Sequence, residues 1–215
     1  MRQPISDFLI ALTGLLATLA CYFAPFSSYS HWVGWCLWGF LCSFLLPLGM
    51  LLAVGKKPWE CGLTVGEGRL GLLWVAIGTL GMAFIGQWAA GRPDFRAYYE
   101  PLAASLRSAP LTFWLTLFAY MLGWEFLFRG FLLFGLAGNN PSLLRLLTAV
   151  TFSTLLFGAS HWGKPLPELL GSFLAGLILC GIAWRTRSLF APVLLHTLVF
   201  GIFTTQVARV SRLSP

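Results

Sequence analysis

The chain has 215 residues, 58% of them hydrophobic and only 10% charged, where a soluble domain carries about 25% charged residues. With a mean hydropathy of +0.79, this excludes an ordinary water-soluble domain and predicts an all-α integral membrane protein. The formal net charge of +7 sits in loops and ends, as anionic lipid headgroups and topology signals require; no basic stripe interleaves with aromatics, so a nucleic-acid partner is not expected.

Seven apolar runs approach the roughly 20 residues a helix needs to span a bilayer. They are Phe8–Phe26, Trp32–Val54, Leu70–Trp88, Leu111–Leu136, Leu143–Trp162, Leu169–Trp184 and Leu189–Val207. The sixth is the shortest and needs its flanks. Met1-Arg2 precedes the first run with no convincing small-residue cleavage site after it, so a retained signal-anchor helix is expected. Ser27-Ser28-Tyr29-Ser30 reads as a tight turn, and Gly55-Lys56-Lys57-Pro58 ends the second run. Gly91-Arg92-Pro93-Asp94 opens the longest loop, whose tail around Tyr98–Arg107 has the pattern of an amphipathic interfacial helix. Gly138-Asn139-Asn140-Pro141, Gly163-Lys164-Pro165 and Arg185-Thr186-Arg187 close the fourth, fifth and sixth runs. With the N-terminus inside, Lys and Arg divide almost evenly between the two faces; the tilt toward that orientation rests on Arg2 facing a first loop that has neither. The organisation expected is one domain, with N-terminal helices and loops over 1–110 and the chemistry-bearing helices over 111–207. Four of the five cysteines (Cys21, Cys36, Cys42, Cys61 and Cys180) lie in apolar runs, and no two form a Cys-x-x-Cys pair, so they read as small buried hydrophobes.

The fourth run carries Trp124-Glu125-Phe126-Leu127-Phe128-Arg129-Gly130. Glu125 and Arg129 are the only formally charged residues between Leu111 and Gly138. Each such residue at the centre of a membrane helix costs roughly 2.5–3.5 kcal/mol on insertion scales. Residues four apart share a helix face, and Glu placed N-terminal to Arg is the favourable order. Two histidines accompany them in later runs: His161, in Phe157-Gly158-Ala159-Ser160-His161, and His196, in Leu194-Leu195-His196-Thr197. Taken singly, each is as readily a hydrogen-bonded helix-end histidine as a functional one; His31, beside Trp32, reads as the former. Together with one Glu and one Arg in the same C-terminal half, the two later histidines point to a site between helices.

Glu-Phe-Leu-Phe-Arg-Gly, then Phe-x-x-x-His, then a histidine in the last helix, resembles the CPBP (Abi, or type II CAAX protease) family of intramembrane endopeptidases. The resemblance covers about Leu111 to Val207. It implies an all-helical membrane fold with the site between the C-terminal core helices. It also implies cleavage near the C-terminus of a membrane-associated substrate: a prenylated CAAX protein, a bacteriocin precursor or a sorting-signal protein. The family's first motif reads Glu-Glu-x-x-x-Arg, and here Trp124 takes the first position. Its last motif ends His-x-x-x-Asn or Asp, and here that position is Phe200, which has no hydrogen bond to give an oxyanion.

Peptide hydrolysis needs a base for water and donors for the tetrahedral oxyanion. The assignment that follows makes Glu125 the base, His161 its partner in holding the water, and His196 an oxyanion donor, with Arg129 fixing the Glu125 rotamer. Phe157, Trp124 and Phe200 support the site. A His₂Glu zinc centre of Glu125, His161 and His196 is the less favoured alternative, because no His-Glu-x-x-His pair supplies two ligands from one helix; no cofactor is otherwise expected. The partners expected are the lipid bilayer and a membrane-anchored protein or peptide, in a bacterial inner membrane. The rival readings are a catalytically inactive CPBP homologue that binds or escorts membrane proteins, and a small transporter gated by Glu125–Arg129. The second lacks the paired halves and broken helices such folds show. Straight spans raise one difficulty. At 1.5 Å per residue, His161 lies about 27 Å from Leu143 but His196 only about 10 Å from Leu189, so a shared site demands steep tilt, an early helix start or a re-entrant segment.

Overall fold

The structure, a computed structural model, describes residues 2–26 and 31–213; the turn expected at 27–30 lies outside the described residues. Among these the fold is all helical. The long helices are α1 (Arg2–Tyr22), α2 (Trp32–Ala53), α3 (Gly68–Ala90), α4 (Pro93–Ser108), α5 (Pro110–Ala137), α6 (Leu143–Ala159), α7 (Leu166–Thr186) and α8 (Phe190–Leu213). Six of them (α1, α2, α3, α5, α7 and α8) are long and apolar enough to cross a membrane, and α6 is a shorter apolar helix. The protein is a multi-pass membrane protein.

Each boundary has a local cause. The fifth run was expected to continue to Trp162, but α6 ends at Ala159. Past that point His161 and Trp162 donate to Gly158 and Ala159 in tight turns, and Gly163 takes a left-handed φ of 89°. The sixth run gains the length it lacked: Pro167 at the helix start and Glu168 in the first turn favour initiation before Leu169. The amphipathic helix expected near Tyr98 is α4. It opens on Pro93 and Asp94, carries Arg107 in its last turn, and buries Phe95, Tyr99, Leu102 and Leu106 at three- and four-residue spacing. Phe95 and Tyr99 pack edge-on against Phe203 of α8, with ring centroids 5.8 and 4.9 Å apart.

Helix α5 is the axis of the bundle. From Gly123 to Gly135 every residue is buried, as a helix enclosed on all sides must be. Its Phe126–Phe134 segment is a π-helix, a widened turn (i→i+5) that often marks functional sites. Small residues let neighbours close on α5. A β-carbon on Gly39 of α2 would strike the Tyr120 ring, and one on Gly123 would come within 2.5 Å of Ser43 Oγ. At the other end, Arg145 of α6 donates to Leu136 O at 2.6 Å and pairs with Asp7 of α1 at 2.8 Å.

A docked segment reduces the depth mismatch expected between the histidines. The stretch after α2 and the α7–α8 turn dock on each other: Glu67 donates to Thr186 O at 2.8 Å, Leu189 to Gly62 O at 2.9 Å, and Ser188 Oγ to Thr64 O. Both reach Gly130, whose β-carbon position is 3.1 Å from Cys61 O and 3.1 Å from Leu189 Cδ1. Gly130 precedes the end of α5 by seven residues, so α8 starts roughly 10 Å deeper than α5 ends. His196 is carried toward the far end of α6, where His161 sits.

Candidate active site

Glu125, the last α-helical residue before the π segment, has no solvent exposure. Its Oε1 accepts a 2.6 Å hydrogen bond from Nδ1 of His196, across two helices. Arg129 Nη1 donates to the same Oε1 at 3.2 Å and lies 3.2 Å from Oε2, which accepts no hydrogen bond among the described residues. Arg129 is equally buried. Its Nη2 donates to Gly176 O of α7 at 3.5 Å, and its guanidinium carbon stands 4.1 Å from the centre of the Phe157 ring, a cation–π contact in a dry setting. An arginine brings five donors in a fixed fork, so one carboxylate never satisfies it; the Gly176 carbonyl and the Phe157 face add to its surroundings, and its buried Nε has no hydrogen-bond partner among the described residues. A β-carbon on Gly176 would press on Thr154 at 3.0 Å and Phe157 at 3.3 Å.

Phe157 is the hub. The His161 ring is 4.8 Å and the His196 ring 5.9 Å from it, centroid to centroid, so the two imidazoles flank one phenyl. Nδ1 of His161 is 2.8 Å from Phe157 O. A carbonyl only accepts, so Nδ1 carries the proton and Nε2 of the neutral ring is a lone pair. Ser153 Oγ donates to Phe128 O at 2.7 Å, satisfying a carbonyl that the widened helix presents to α6.

His161 and His196 line one cavity of about 160 Å³, together with Trp124, Tyr99, Lys164 and Phe200. Glu125 is not on its wall. Adjacent helix residues point about 100° apart, and the widened turn begins only after Glu125, so Trp124 is the one that faces the cavity. At the rim, Tyr99 of α4 donates to Glu168 of α7 at 2.6 Å, and Lys164 reaches the same carboxylate oxygen at 2.8 Å. A larger groove of about 380 Å³ lies between the start of α2 and the α4–α5 junction, lined by His31, Ser105, Ser108 and Thr112 among others; Trp32 belongs to the walls of both spaces.

The structure therefore brings together Glu125, Arg129, Phe157, His161 and His196, and sets Trp124 and Phe200 on the same cavity. Residues 106–201 match the family described as Type II CAAX prenyl endopeptidase Rce1-like. That match is consistent with the CPBP family. No curated protein matches the chain, and no solved structure does. The matched segment holds every residue of the constellation. The match supports a CAAX-type intramembrane protease fold, and the two departures from the family's motifs, Trp124 and Phe200, both fall on the cavity wall. Sequence reasoning missed the Gly176 carbonyl, Ser153, and the Tyr99–Glu168–Lys164 group. The four-residue spacing of Lys164 and Glu168 was the one available signal for the last of these; a backbone carbonyl 47 residues away from Arg129 leaves none.

Proposed function

We propose that the chain is an intramembrane endopeptidase that cuts a membrane-associated protein or peptide near its C-terminus, in the cavity shared by His161 and His196, with residues 1–110 as scaffold for the 111–207 core. The observation that carries the reading is the 2.6 Å bond between His196 Nδ1 and a fully buried Glu125. A carboxylate holding Nδ1–H leaves Nε2 as a lone pair on a ring that reaches the cavity, the orienting logic of a carboxylate–histidine base. His196 Nε2 takes the proton from a water while the water oxygen attacks the scissile carbonyl. Glu125 then stabilises the imidazolium, which returns the proton to the leaving amine. His161 Nε2 accepts the water's second hydrogen and aims it. The Lys164 ammonium, with three N–H groups, is among the donors the wall offers to the oxyanion.

This moves the base from Glu125, where the motif suggested it, to His196. Glu125 has no exposed surface for water, and Arg129 and His196 both hydrogen-bond its Oε1. The same engagement supports metal-free chemistry, because Glu125 is turned away from the cavity the imidazoles face; no group of three or more His, Cys, Asp or Glu suited to a metal occurs among the described residues. Activity is expected to be unchanged by a chelator, and loss restored by zinc would reverse this reading. The substrate is as readily a bacterial sorting tail or peptide precursor as a prenylated protein, and the membrane is the bacterial plasma membrane.

Trp124 and Phe200 on the wall favour a second reading, a non-catalytic homologue that binds or escorts membrane proteins. Reconstitution in liposomes with membrane-anchored reporter peptides separates the two. For a peptidase, the wild-type chain cleaves, while His196→Ala and Glu125→Gln lose at least about 10²-fold in kcat with peptide binding kept. Binding without cleavage by the wild-type chain would establish the escort instead.

A further inference from the structure

The cavity is walled by rings as much as by imidazoles. Trp124 stacks on Tyr120 at 5.4 Å, and Tyr120 lies tilted against Trp35 at 4.3 Å. Phe200 stands 6.3 Å from Trp32 and 6.0 Å from Tyr99. Behind Trp124, Phe128 meets it edge-on at 5.1 Å, and only 7% of Trp124 is exposed, so the indole is wedged in place. The space is partly open and measures about 160 Å³. Sites that enclose a drug-sized ligand measure about 300–1,000 Å³. The volume suits a single side chain.

We propose that Trp124 and Phe200 are specificity-determining residues. They shape a subsite for one compact apolar side chain, the size of alanine or valine, beside the bond to be cut. This rests on the peptidase reading of the cavity and adds the substrate class. A cationic side chain entering this space loses hydration and meets the like charge of Lys164 on the same wall. A bulky aromatic or an isoprenoid chain would have to displace rings already packed on each other, and overpacking of that kind is costly. Because the same cavity holds His161 and His196, the residue seated there presents its own carbonyl to the imidazoles. The wall offers an aromatic surface at the two positions where the family's motifs carry a carboxylate and an amide or acid, so selection here is by size and polarity.

The test uses the full chain in liposomes and membrane-anchored reporter peptides that differ at one residue: Ala, Val, Phe or Lys. Both kcat/KM and Kd are read. Wild type is expected to favour Ala and Val over Phe and Lys by about tenfold or more, the discrimination a size-limited apolar pocket supplies. Trp124→Ala and Phe200→Ala should bring the Phe peptide level with the Ala peptide or above it. Where Trp124→Ala fails to fold, as judged by its melting profile, Trp124→Leu and Phe200→Ala carry the same expectation. Peptides that bind in the expected order without being cut would support the subsite and sink the peptidase reading. Equal handling of Ala and Phe by wild type, a ranking unmoved in the variants, or no binding of any peptide would overturn the subsite.

Discussion

Arg129 is a full charge with no exposed surface, held by one carboxylate, one carbonyl and the face of a phenyl ring. Removing one partner of a buried pair leaves the other uncompensated, at a cost of about 3–5 kcal/mol. Arg129→Met is therefore expected to lower the melting temperature in detergent sharply, while the double variant Glu125→Gln/Arg129→Met recovers part of the loss. A double variant no more stable than Arg129→Met alone would show that the pair is not the cause. The Glu125–Arg129 half of this arrangement was readable from four-residue spacing on one helix. The Glu125–His196 half was not, because 71 residues separate the partners and only the packing of α5 against α8 closes the gap.

Among the elements, the docked segment between α2 and α3 decides how deep the site lies, and Gly130 decides whether that segment docks. Burial above all pushes the Cys61 thiol up to about 11, so near pH 7 almost none is the reactive thiolate. Gly130→Val should displace the segment, return Cys61 toward the ordinary thiol range, and raise its rate of maleimide labelling; an unchanged rate would remove Gly130 from this role. The rim group is a second element-scale link. Tyr99→Phe deletes its bond to Glu168, a loss of about 0.5–1.5 kcal/mol for an ordinary hydrogen bond, and should speed amide exchange in α4. Unchanged exchange would mean that α4 is held by its packing on α8 alone. The amphipathic pattern of α4 was visible in sequence, yet its position over the histidine cavity depends on Phe203 and Glu168, which lie far along the chain.

At the scale of the whole molecule, the cavity is built from helix ends on one side: the close of α1, the start of α2, α4 and the turn after α6. Helix order puts that side opposite the segment after α2. An impermeant thiol reagent is therefore expected to label Lys164→Cys and Arg92→Cys from one face of sealed vesicles, and Lys56→Cys from the other. Labelling of all three from one face would break the topology.

Composition alone determined that this chain lives in a bilayer, because so few charges leave no soluble surface to build. Its apolar runs determined nearly every helix, since in hydrocarbon a backbone must satisfy its own hydrogen bonds. Local spacing likewise determined the Glu125–Arg129 turn, and the order of motifs its likeness to intramembrane proteases. Tertiary structure alone decided that Trp124 rather than Glu125 meets the cavity, that His196 takes the buried carboxylate, and that both histidines line one cavity. Those facts depend on helix rotation, a widened turn and a docked segment, which are set by contacts between residues distant in sequence and leave no local periodicity to read.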